Sequence, residues 1–167
     1  MPSRRLCAAA FAALAIAGCG GDGQSKADFI AAADKICLER DTSAANLSAV
    51  GSEADLGRLS GELAAIYDKA ITDLEAVSLP GGDARAGAVK YVRATAGLRT
   101  AVDGMREASQ RFAAAARTQQ ASALRSAGEQ LQGRVNTVQA LGDIADEAAR
   151  DYGMRTCGQT SRPLPVS

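Results

Sequence analysis

Apolar side chains recur at three- and four-residue spacings from Phe29 to Tyr152, the period of one face of a helix. The first such stretch runs Phe29, Ala33, Ile36, Arg40, Ala44 and Leu47, with Ile30 and Cys37 beside it. Only Arg40 breaks its apolar stripe. Ser25 is placed to cap this helix, Asp28 three residues on completes a capping-box-like pair, and Gly51 can end it. A second helix follows at once with Ser52 as its cap. Its stripe is Leu56, Leu59, Leu63, Ile66, Ala70, Ile71, Leu74 and Val77, and Leu79-Pro80-Gly81-Gly82 is a stop signal. The third, capped by Asp83, carries Ala88, Tyr91, Val92, Thr95, Leu98, Val102 and Met105, then thins to Ser109, Phe112 and Ala116. A turn is expected at Arg117-Thr118-Gln119, with Thr118 capping a fourth helix that carries Leu124, Leu131, Val135, Val138, Leu141, Ile144, Ala145, Ala148 and Tyr152 and stops at Gly153. The alternative at that boundary is one helix over 84–152.

No alternating strand pattern flanked by turns occurs. The chain is therefore expected to be all-α, an antiparallel up-down-up-down four-helix bundle over 26–158. Residues 52–77 hold six acids and two bases, and residues 83–117 hold three acids and seven bases, which favours the second and third helices as neighbours. With two helices of about 25 residues and two of about 34, the longer hairpin should overhang by two to three turns of ~5.4 Å each. That overhang, 109–126, is poor in large apolar residues apart from Phe112 and Leu124.

The segment ahead of the helices has a different pattern. Arg4 and Arg5 precede an apolar run from Leu6 to Ala17, and small residues Ala17 and Gly18 precede Cys19. This is the three-part layout of a secretory signal, and the run is too short for a membrane span, which needs roughly 20 residues. Gly20-Gly21-Asp22-Gly23-Gln24 reads as a flexible tether, and 159–167, with Pro163 and Pro165, as a disordered tail.

The tetrad Ile16-Ala17-Gly18-Cys19 resembles the lipobox of bacterial lipoproteins. The resemblance implies removal of 1–18, a thioether-linked diacylglycerol on Cys19, a tether over 19–25, and a domain held on the extracytoplasmic face of the cell membrane. Two or more acyl chains anchor stably where one does so only marginally. Cys7 leaves with the signal and Cys19 takes the lipid, so Cys37 and Cys157 remain. An exported chain meets an oxidising compartment, where a leftover pair usually bridges; two free thiols or a redox pair are the alternative. A bridge faces one geometric tension. Cys37 lies about 17 Å along its helix at ~1.5 Å per residue, so either 153–157 fold back along the bundle or the first turns project beyond the fourth helix. Taken whole, with Ile36-Cys37 and with Tyr152-Gly153 leading to Cys157-Gly158, the chain resembles small bacterial lipoproteins with a four-helix domain and one cysteine pair, which implies no activity.

Composition narrows the chemistry. The full chain has 19 basic and 19 acidic residues and no histidine. Without Arg4 and Arg5 the charge is −2, which gives no basic bias toward nucleic acid. The absence of histidine removes the Glu-x-x-His di-iron pattern and a Ser-His-Asp triad. No CxxC supports a zinc ribbon or a thioredoxin motif, and no catalytic set, metal site or cofactor is expected. Asp73 with Glu75, and Asp143, Asp146 and Glu147, read as solvated faces. Arg85, Arg99 and Arg106 share a heptad phase and read as seam-covering residues that pair with a neighbour; an anionic ligand held by them is the alternative. The functional expectation is a non-catalytic binding or scaffolding module, with Phe112, Arg117 and Leu124 at the membrane-distal tip facing a protein partner. The alternative is a small-ligand carrier, in which Ala70, Gly128 and Gly142 leave space between helices.

Overall fold

The computed structural model describes residues 24–47 and 52–159, without the side chains of Glu53 and Ala54. The signal, Cys19, most of the tether, the expected stop at Gly51 and the tail from residue 160 lie outside the described residues. Four helices make up the fold: α1 (Lys26–Ala45), α2 (Glu53–Ala76), α3 (Ala84–Thr118) and α4 (Ala121–Tyr152).

Local chemistry sets their ends. The Asp28 amide donates to Ser25 Oγ at 3.1 Å, and that hydroxyl donates to the Asp28 carboxylate at 2.6 Å. Ser52 and Asp55 repeat the arrangement at the start of α2. Gly153, at φ +98°, closes α4 by donating to the Ala149 and Arg150 carbonyls, the left-handed ending that glycine adopts without strain. Two expected caps differ. Asp83 makes no side-chain capping bond. Thr118 ends α3, its hydroxyl donating back to the Ala115 carbonyl. The chain reverses instead at Gln119, in the left-handed region at φ +54°, and Gln120 precedes α4 without a side-chain cap.

Contacts of α3 with α2 and with α4 run in inverted order along the helices. On α2 and α3, Gly57 lies against Ala113 while Glu75 pairs with Arg99. On α3 and α4, Phe112 lies on Gly128 while Gly87 lies on Tyr152. The first of these pairings corrects the expected overhang. At Gly57, α2 is level with Ala113 and reaches the α3–α4 turn, and Leu56 packs on the cluster that holds Phe112. Helix lengths fix how much chain overhangs but not the stagger. The short element is α1, which has 20 residues and buries only Phe29, Ala33 and Cys37 fully.

The core is correspondingly in two parts. One cluster draws only on α2, α3 and α4: Ala64 and Ile71; Leu98, Val102, Met105 and Phe112; Leu131, Val138 and Ala145, among others. The other joins α1 to the opposite end: Phe29, Ala33 and Cys37 meet Leu74, Tyr91, Ala148 and Tyr152, closed over by Met154 and Cys157. Alanine is frequent in both, and Ala33, Ala64, Ala88, Ala108 and Ala149 are completely buried.

Candidate functional site

One connected set of buried polar and sulfur contacts gathers around α1 and the segment that follows α4. Gly153 turns the chain back, and residues 154–157 return along α1, the first of the two routes open to a cysteine bridge. Cys37 and Cys157 are bonded, with their Cα atoms 5.2 Å apart, and both are buried. The Asp34 carboxylate, one turn before Cys37, accepts the backbone amides of Arg155, Thr156 and Cys157 at 2.8–3.1 Å. Arg150 donates to the Gly158 carbonyl at 2.8 Å. On the other side of the bridge, the Tyr91 hydroxyl lies 3.6 Å from Cys37 Sγ; a bonded sulfur carries no proton, so the hydroxyl is the donor. Burial pushes the Tyr91 hydroxyl well above its ordinary pKa, against the opposing influence of Arg40, so it stays protonated and able to donate. Cys157 Sγ lies 3.1 Å from the Ala33 carbonyl oxygen.

Arg40, one turn beyond Cys37, is the residue that broke the stripe, and it is held inside. Its side chain keeps 11% of its exposure. Its guanidinium lies over the Tyr67 ring, 5.6 Å from the centroid, and Nε donates to Asp41 at 2.8 Å. Nη2 is 2.8 Å from the same oxygen, an ion-pair distance, but it is buried and not aligned for a hydrogen bond. Burial pulls the Arg40 pKa down. The Asp41 hydrogen bond and the influence of Tyr67, Asp41 and Asp146 outweigh it, and the net shift is upward. Asp146, grouped in the sequence with solvated acids, is 4% exposed. The chain thus buries charges of both signs, Arg40 on α1 and Asp146 on α4, where most bundles place apolar residues. Sequence offered half of this, since Arg40 interrupts a seam. Nothing in the Asp143, Asp146, Glu147 run marks which acid turns inward.

Between α1 and α2 lies one shallow groove, about 90 Å³, lined by Ile36, Arg40, Ser43, Ile66, Ala70 and Asp73 among others. The surface acids and bases are mostly matched. Lys69 pairs with Asp73, Arg99 with Asp68 at 3.1 Å and Glu75 at 2.7 Å, and Arg106 with Asp68 at 3.3 Å. Arg85 is exposed. Among the described residues, no cluster of His, Cys, Asp or Glu is arranged to hold a metal, and no helix is long and apolar enough to cross a membrane.

Of the residues expected at the tip, Phe112 is in the core at 6% exposure. Leu124 is half-buried against the same cluster, and Arg117 is exposed. The tip therefore offers a polar surface from Arg117 to Ser122 rather than an aromatic one. The small seam residues divide. A Cβ on Gly128 would meet the Phe112 ring at 3.4 Å, ordinary close packing, whereas Gly142 has nothing within 4 Å. Comparison with protein-family models, curated proteins and solved structures gives no match.

Proposed function

We propose that this chain is a lipid-anchored, extracytoplasmic lipoprotein whose helical domain is a non-catalytic binding or scaffolding module. The lipobox-like tetrad ending in Cys19 supports the anchor. The observation that carries the compartment is the buried Cys37–Cys157 bridge, a bond that persists in oxidising surroundings and is rare in the cytosol. Gln24 sits in a backbone bridge with Pro80, at the end of the bundle where Tyr152 bonds the Ala84 carbonyl. Five residue steps separate Gln24 from Cys19, and at ~3.6 Å each they span at most about 18 Å. The disulfide-bearing end is thus the membrane-proximal one, and the polar α3–α4 turn, with Arg117, faces away toward a protein partner.

The carrier reading has weaker support. Pockets that enclose small ligands measure roughly 300–1,000 Å³, and the α1–α2 groove, at about 90 Å³, falls well short.

Palmitate labelling tests the anchor. The wild-type chain is expected to take up label and sediment with membranes, and Cys19→Ser to lose the label and move to the soluble fraction. A wild-type chain that is soluble and unlabelled would end this reading.

A further inference from the structure

The Cys37–Cys157 bond has chemically unlike ends. Cys37 Sγ receives the Tyr91 hydroxyl at 3.6 Å and has Arg40 one turn away on the same helix. Cys157 has the Asp34 carboxylate on its own amide at 3.0 Å and the Ala33 carbonyl oxygen 3.1 Å from its sulfur. Hydrogen-bond donors and cations stabilise a thiolate, and carboxylate and carbonyl oxygens destabilise one. In thiol–disulfide exchange the sulfur that is the better thiolate leaves faster. The bond also joins two regions of unequal support. The α2–α4 cluster contains no residue of α1, whereas α1 has no fully buried residue after Cys37 and carries the largely desolvated Arg40 side chain in that stretch.

We propose that the bridge is a reducible clasp with a fixed polarity, which on opening releases α1 from a three-helix core that stays folded. A dithiol reductant supplies the two electrons. The segment 153–159 lifts first, because both sulfurs are buried. The reductant's thiolate attacks Cys157 Sγ, the S–S bond breaks, and Cys37 leaves as the thiolate facing Tyr91. The reductant's second thiol, on losing its proton, displaces Cys157 from the mixed disulfide. The products are the oxidised reductant and two thiols, with the protons of the dithiol passing to Cys37 and Cys157. This device does not rest on the lipid anchor.

Hydrogen exchange on the full chain, before and after treatment with dithiothreitol, tests the release. Reduction is expected to speed exchange in 26–45 and 153–159 by at least about tenfold, while the core segments 98–112 and 127–145 change less than about twofold. Simultaneous loss of protection in all four helices, or α1 protection unchanged by reduction, overturns the release. Brief exposure to glutathione with acid quenching, followed by peptide mapping, tests the polarity. The mixed disulfide is expected on Cys157, and a mixed disulfide mainly on Cys37 overturns the polarity. Tyr91→Phe should slow reduction several-fold without moving the site of attack, and an unchanged rate removes Tyr91 from the leaving-group role.

Discussion

Arg40 is the residue whose placement most needs its neighbours. A guanidinium on the inner face of α1 is costly to desolvate, and Asp41, the Tyr67 ring and, least, Asp146 offset that cost. Breaking such a buried arrangement by removing one partner typically destabilises by about 3–5 kcal/mol, whereas replacing both charges with packed apolar residues is often neutral or stabilising by about 1–4 kcal/mol. Asp41→Ala leaves the guanidinium without its hydrogen-bond partner and should lose up to about 3 kcal/mol in urea unfolding, the lower end because Asp41 is itself half-exposed, while Arg40→Met, which removes the charge and keeps the bulk, should stay closer to the wild type. Equal losses in the two variants would show that the cost is one of packing, not of an unmatched charge. Arg40 and Asp146 also mark where residue-level reading stops. An arginine at a seam position is visible as an interruption of period. An aspartate among other acids on a helix carries no such mark, because its direction depends on which side of α4 the neighbouring helices occupy.

At the scale of the helix, the same residue type acts in opposite ways on different faces. Gly87 on α3 stands where a Cβ would come 2.4 Å from the Tyr152 ring. That ring is held by the Ala84 carbonyl at 2.9 Å and by edge contact with Phe29 at 5.8 Å, so it has little room to yield. Gly61 on α2 has nothing within 4 Å of its Cβ position. Overpacking costs about 1–3 kcal/mol, and alanine in place of glycine in an unobstructed helix gains up to about 1 kcal/mol. Thermal unfolding should accordingly show Gly87→Ala below and Gly61→Ala above the wild type, and the reverse order would contradict the α3–α4 contact. The helices themselves were the most legible part of the chain. Ser25 with Asp28, Ser52, the Leu79-Pro80-Gly81-Gly82 stop and Gly153 each act on backbone within a few residues of themselves, so the information is local. The α3–α4 turn was half legible. Its place was marked by the change in composition, but the left-handed residue is Gln119, and glutamine carries no preference that would single it out.

Across the whole molecule, the four-helix all-α class and the cysteine pair followed from period and from the two cysteines that the helical region itself contains. The stagger did not. Nothing in the length of α2 reveals that Gly57 meets Ala113, and with that contact Phe112 passes from a displayed tip to the core. The division into two apolar clusters also depends on how far along the bundle α1 reaches, which sequence leaves open. One consequence follows from the route of the covalent chain. The sulfur bridge short-circuits 120 positions of sequence, so a tensile load applied between Gln24 and Gln159 bypasses α2, α3 and α4 altogether. Pulling with optical tweezers should first unravel 24–37, thirteen peptide steps or roughly 47 Å of contour at ~3.6 Å each, and then meet an inextensible stop. Only a reducing bath should let the trace lengthen further, and continued extension of the oxidised chain would mean that force does not travel through the two sulfurs.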